Sequence, residues 1–119
     1  MEKPCTEPYI NHLPSDHIFV FGSNLEGIHG AGAAHTARVF FNAESGIGKG
    51  LTGQAYAIPT KSTPSKTLGL KVIESYVNDF IRFVNQHEYY TFHVTPIGCG
   101  YAGYEAKDIA PMFESLRFK

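Results

Sequence analysis

The chain has 119 residues, a formal net charge of −1, 43% hydrophobic residues and 18% charged residues. This length fits one domain with a sizeable core, and the composition excludes a disordered chain. No cluster of lysine and arginine is present, which argues against a nucleic-acid or anionic-membrane surface. A small phosphorylated ligand is not excluded, because backbone amides bind phosphate without basic side chains.

Several kinds of site and segment are not indicated by the sequence. Cys5 and Cys99 do not form a disulfide framework, and there is no CxxC pair for zinc. Neither a signal peptide nor a transmembrane stretch is indicated, so we expect a cytoplasmic protein without a membrane partner. Nothing points to a cofactor, and the pattern does not define an oligomeric state.

The first half of the chain predicts a lead-in segment, a strand, a helix and a second strand. Residues 1–16 contain three prolines among polar residues and predict an irregular segment, so that residues 17–119 form a single α/β domain. Residues 17–21 are apolar on both faces, as in a central strand. A helix is expected from Gly32 to about residue 42, a glycine-rich loop over 43–53, and a strand over 54–58 that ends at Pro59.

The second half predicts two helices with a strand between them. Residues 60–67 are polar and predict a surface connection, and apolar residues at three- and four-residue steps predict a helix over 68–87. Residues 90–95 alternate as in a strand, residues 96–104 form a second glycine-rich loop, and a last helix is expected over 105–116.

The order β–α–β–α–β–α predicts a mainly parallel sheet with helices on both faces. The loops that follow the three strands, including a turn at residues 56–61, would then converge at one sheet edge, where such sheets bind ligands. The glycine-rich loops at residues 22–32 and 96–104 both fall at this edge.

The loop after the first strand, Gly22 to Gly32, is the first candidate binding site. Its glycines and the start of a helix suit an anion, but it is neither a Walker A loop nor a clean GxGxxG, and close helix packing is the competing explanation. Asn24 is a candidate to orient a sugar hydroxyl or a water, or it is a turn residue. His29 and His35 are candidates for acid–base or phosphate contacts, with structural roles as the alternative.

The loop after the third strand offers a second cradle at Gly98, Gly100 and Gly103. Cys99 is a candidate nucleophile or a small buried hydrophobe. Tyr101 and Tyr104 are candidates to stack on a base or ribose, or to cover the core edge. Lys61 either meets a phosphate or is solvated.

Taken in order, these segments resemble the macro domain, the ADP-ribose-binding module. Its apolar strand, asparagine and glycine-rich loop correspond to residues 20–24 and 30–32, and its Ile-Pro turn to residues 53–61. Its phosphate loop corresponds to residues 98–104. The likeness spans about residues 17–116 and extends to small macro-like proteins of bacteria and phages with an FVFGSN…HGAGAA…YAIPTK pattern.

The resemblance implies a three-layer α/β/α fold and a small-molecule ligand of the ADP-ribose type, held by both glycine loops. It implies that Asn24 contacts the distal ribose. Asn24 and His29 are the candidate catalytic residues, with Glu26 and His35 as alternatives to His29. The implied ligand-binding residues are Gly22, Ser23, Gly30, Ala31, Gly32, Ala33, Lys61, Gly98, Cys99, Gly100, Tyr101, Ala102, Gly103 and Tyr104.

Hydrolysis of an ADP-ribosyl linkage is a further implication, with one departure from the family pattern. Hydrolysing macro domains often carry an aspartate just after the first glycine run, whereas this chain has Ala33 and Ala34 there. The alternative is therefore a non-catalytic protein-interaction module on a degenerate macro-like fold, as in a phage–host interaction.

Overall fold

A computed structural model describes residues 12–30, 32–63, 65–95, 97 and 106–113. The elements, in chain order, are β1 (His17–Asn24), α1 (Gly32–Phe40), β2 (Gly50–Thr52), β3 (Ala55–Thr63), β4 (Lys66–Thr67), α2 (Leu70–Gln86), β5 (Thr91–Val94) and α3 (Ala106–Ile109). A 3₁₀ turn continues α3 through residue 113. The predicted strands at 17–21 and 90–95 and the predicted helices at 32–42 and 68–87 are confirmed within a few residues.

The sheet is mixed, which corrects the expectation of a mainly parallel sheet. The path is β2-β3-β1-β5, with β4 paired to β3. β1 runs parallel to both β3 and β5, so the three predicted strands do share one direction. The two strands that the sequence did not predict, β2 and β4, both pair antiparallel with β3.

β2 lies inside the stretch that was expected to be a loop. Its three residues, 50–52, form a hairpin with β3 through a two-residue connection at Gly53 and Gln54. Gly53 has φ of +60°, and a Cβ there would overlap the carbonyl oxygen of Asn42. The glycines that favoured an irregular loop are therefore what permits the tight turn.

β3 runs through Pro59 instead of ending there, so the predicted turn at 56–61 and the connection at 60–67 are wrong. Ser23 of β1 is the register partner of Pro59, and the register shifts just beyond it. On the other edge of β3, the pairing with β2 extends only as far as Ala57, and the pairing with β4 begins at Lys61 of β3. In the described chain no antiparallel partner faces Pro59, so its missing N–H breaks no ladder on that edge.

Two apolar clusters cover opposite faces of the sheet. Phe19 and Phe21 of β1 lie in one cluster with Ala37 of α1. Ile18 and Val20 lie in the other, with side chains of α2 and with Ile109 of α3. Because successive side chains of a strand point to opposite faces, an apolar β1 fills both clusters, as the sequence predicted.

Helix α2 forms because its apolar residues recur on one face. Ile73, Val77 and Phe80 are buried against the sheet. On its polar side, Asp79 pairs with Arg82 one turn along the helix and with Lys49 (3.3 Å), which also lies 5.5 Å from the centroid of the Tyr76 ring. These contacts tie the segment before β2 to the helix.

Tyr56 of β3 is the phenol whose pKa this packing changes most among the described groups. Its ring lies 5.0 Å from the ring centroids of Phe80 and Phe83. Burial, and next the negative charge of Asp79, raise the pKa of Tyr56 to about 12. Both favour the neutral phenol over the phenolate.

We expect Tyr56 to be the last of the four described tyrosines to ionise in an alkaline titration followed by phenolate absorbance. A Tyr56→Phe variant should lose this late step and keep the earlier ones. Because the native pKa lies above the unfolded value of about 10, stability should fall as pH rises above 10. An unchanged titration in Tyr56→Phe would contradict the assignment.

Candidate functional site

The carboxyl ends of β1 and β3 bring two predicted site residues together. Asn24, the last residue of β1, is the register partner of Lys61 in β3. The amide of Leu25 donates to Lys61 O (2.9 Å), which continues the pairing one residue further. The predicted convergence of post-strand segments is therefore present for β1 and β3, although Lys61 lies within a strand and not in a turn.

The Asn24 side chain closes the loop that follows β1. It is buried, its Nδ2 donates to Ile28 O (2.8 Å), and its Oδ1 accepts from Ile28 N (3.0 Å). The backbone oxygen of Asn24 also accepts from Gly27 N (2.9 Å). Both ends of the amide are thus occupied by loop backbone, as in the turn interpretation of this residue.

His29 lies inside the protein instead of at the mouth of the loop. Only 2% of the residue is exposed, and its ring stands edge-on to Phe21. Nε2 lies 3.1 Å from both Glu44 O and Ile47 O. Carbonyl oxygens only accept, so Nε2 carries the proton, while Nδ1 is buried with no hydrogen-bond partner. The imidazole therefore joins the loop of residues 25–30 to the segment 44–48.

Glycines let these two segments meet backbone to backbone. Gly27 has φ of +72°, and a Cβ on it would overlap the backbone of Gly46. A Cβ on Gly48 would overlap Asn24 O. Gly46 N donates to Gly27 O (2.9 Å), and the Ser23 hydroxyl donates to Gly48 O. We call residues 23–29 and 44–48 together the loop clamp; Gly27 and Gly48 in it serve packing and do not line an open cradle.

The predicted ligand-binding residues near the start of α1 have a different environment. Gly30 is exposed, and an added Cβ would meet nothing within 4 Å. Gly32, the first residue of α1, is exposed with φ of +62°, and Ala33 is half-buried. This short stretch is the accessible part of the first glycine loop, and helix N-termini favour anions.

The other predicted residues divide into two groups. Gly22 and Ser23 lie within the sheet opposite Ile58 and Pro59, and Ser23 is buried. Ala31 and the whole predicted second cradle lie outside the described residues, namely Gly98, Cys99, Gly100, Tyr101, Ala102, Gly103 and Tyr104. Their roles stay predictions.

The loop clamp itself carries exposed apolar side chains. Leu25, Ile28 and Ile47 are 42%, 51% and 38% exposed. We call these three residues the apolar rim. The sequence analysis missed it, although its members stand beside the glycines that were singled out.

The described ranges also lack two further features. Those ranges contain no group of three or more metal-ligating side chains. None of their helices is long and apolar enough to cross a membrane.

Comparison with known proteins adds no relative. No protein-family model, no curated protein and no solved structure matches this chain. The resemblance to macro domains rests on the sequence motifs alone.

We expect Gly48→Ala to destabilise the protein by about 1–3 kcal/mol, the usual range for an overpacked site. The cause is overlap of the new Cβ with Asn24 O, a backbone atom that cannot rotate away. Gly30→Ala is the matched control, because its Cβ enters open space; it should change stability by no more than about 0.5 kcal/mol. Denaturant unfolding of both variants measures the difference, and equal stabilities would contradict the clamp.

We also expect Asn24→Ala to lower the free energy of unfolding by about 1–3 kcal/mol, because it removes both bonds to Ile28, each with a typical net contribution of about 0.5–1.5 kcal/mol. Chemical denaturation without any ligand measures this. A variant as stable as the wild type would show that the amide is not structural and would favour a role at a ligand.

Proposed function

We propose that this chain binds ADP-ribose or a related nucleotide-diphosphate-sugar derivative on a three-layer, macro-domain-like fold. The observation that carries the proposal is the open backbone at Gly30 and Gly32, at the start of α1. It lies beyond the carboxyl end of β1, which is the place where α/β sheets bind ligands.

The chemistry of this position supports a diphosphate. Backbone amides at the start of α1 are not used by the helix itself, and the helix dipole is positive there. The missing side chain at Gly30 lets a phosphate oxygen approach the backbone closely. The macro-domain resemblance implies that the sequence at residues 98–104, outside the described residues, also contributes to holding the diphosphate.

The polar contacts of Asn24 and His29 favour binding over hydrolysis. Asn24 uses its amide on Ile28, and His29 uses Nε2 on two carbonyl oxygens while only 2% of the residue is exposed. A catalytic acid or base must reach the proton that it transfers. The alanines at 33 and 34 supply no acid in their place.

The test compares ligand binding by wild type, Gly30→Ala and Gly30→Asp. With ADP-ribose at a hundred times its dissociation constant, the wild type should gain about 2.7 kcal/mol of stability by mass action. Gly30→Asp should fold normally, because its side chain has room and an acid suits a helix start. It should lose the ligand shift, because its carboxylate repels the diphosphate.

Gly30→Ala adds a side chain without a charge and so distinguishes the effect of charge from the effect of size. It should retain more affinity for ADP-ribose than Gly30→Asp. Calorimetry with ADP-ribose measures all three proteins. No heat of binding to the wild type at millimolar ligand would contradict the proposal. Release of free ADP-ribose from a modified substrate would contradict the binding-only role.

The second candidate is a protein-interaction module, and the apolar rim favours it. Exposed apolar clusters on a small domain are typical of partner surfaces. Ile28→Ser should weaken binding of such a partner without changing ADP-ribose binding. Gly30→Asp should weaken ADP-ribose binding without changing binding of the partner. Pull-down and calorimetry on the same two variants therefore distinguish the candidates.

A further inference from the structure

Two histidines on neighbouring strands contact each other away from the proposed site. His17 begins β1, and His93 lies in β5, where its register partner is Phe19. His17 Nδ1 is 2.7 Å from His93 Nε2. Both residues are half-buried.

The two rings lie edge to edge and nearly in one plane. Their centroids are 4.9 Å apart and their planes are tilted by 26°. A face-to-face stack with nitrogens 2.7 Å apart would bring the centroids much closer than this. The facing nitrogens are therefore joined by an N–H···N hydrogen bond, in which one nitrogen donates and the other accepts.

Such a bond holds a single proton between the two facing nitrogens, His17 Nδ1 and His93 Nε2. The neutral pair and the singly charged pair both satisfy it, because their remaining protons lie on the outer nitrogens. A doubly charged pair places two N–H groups against each other and turns the bond into a repulsion. We propose that the His17–His93 hydrogen bond is an acid-sensitive latch: one proton between the rings holds β5 on β1, and a second proton releases it.

Charged and titratable groups lie next to the pair. Asp16 Oδ1 lies 3.8 Å from the outer nitrogen of His17. Burial, and next the adjacent His17, lower the pKa of His93 below its ordinary value of 6.5. In the described chain, His17 is the charged group that acts on His93, and Asp16 is the carboxylate that reaches His17.

The sign of the effect follows from this lowered pKa. Between the native and the unfolded pKa the unfolded state binds more protons, so acid favours opening. The hydrogen bond stabilises the β1–β5 pairing fully above about pH 6.5, and this stabilisation is lost as the pH falls through the native pKa of His93. Full protonation increases the equilibrium constant for release of β5 about tenfold for each unit by which the native pKa of His93 lies below its unfolded value.

Amide hydrogen exchange tests the latch locally. Thr91 N donates to Asp16 O (3.0 Å) and Thr95 N to Val20 O (3.0 Å), on either side of the histidine pair. Leu25 N, which donates to Lys61 O on the opposite edge of β1, is the internal reference. Between about pH 7.5 and 5.5, where histidine titrates, protection at Thr91 and Thr95 should fall relative to Leu25. EDTA keeps stray metal ions off the imidazoles.

His93→Gln should remove this relative change, because glutamine does not titrate. His35→Gln, on the exposed side of α1, should retain it and is the matched control. Equal loss of protection at all three amides, or the same pH profile in His93→Gln, would overturn the latch. If His93→Gln does not fold, imidazole ¹⁵N shifts of the wild type decide: two coupled steps support the latch, and independent titration of both rings near 6.5 overturns it.

Discussion

The burial of β1 on both faces, together with its pairing on both edges, is the constraint on which the rest of the structure depends. β3 and β5 lie parallel to it on either side, and its alternating side chains enter both apolar clusters. Each helix packs on a surface that β1 helps to build. The position of Asn24, and hence of everything beyond the carboxyl edge, is fixed by the end of this strand.

Beyond that edge, the same residue types that suggest chemistry serve to hold backbone together. A buried amide and a buried imidazole satisfy carbonyls and N–H groups that the glycine-rich segments would otherwise leave unpaired. Gly27 and Gly48 suggest a ligand site in the sequence pattern, but in the structure they allow another stretch of the same chain to pack closely against them. The open backbone at Gly30 differs because no neighbouring atoms occupy the space that its side chain would fill.

Much of the fold could be predicted from periodicity, because β1, α1, α2 and β5 each carry a strong apolar pattern. β2 and β4 could not, since they are short and their pairing with β3 is set by tertiary contacts that glycine and polar residues do not signal. The site was predicted less well. The sequence predicted that the segments after β1 and β3 meet at one sheet edge, as Asn24 and Lys61 do. Whether His29 faces outward or inward depends on contacts with residues 44–48, and Asn24 bonds within its own loop to Ile28. The meeting of His17 and His93, 76 positions apart, has no sequence signal.

The open space at Gly30 also has a consequence for how such a protein changes over generations. Gly27 and Gly48, near the carboxyl edge, pack against neighbouring backbone, so a side chain at either position alters the fold before it alters any ligand. Gly30 has no such packing contacts, because a Cβ there would meet nothing within 4 Å. New side chains at Gly30 can change the surface at the start of α1 while the domain keeps its stability. Under the proposed function, selection can therefore adjust recognition there at little cost to folding.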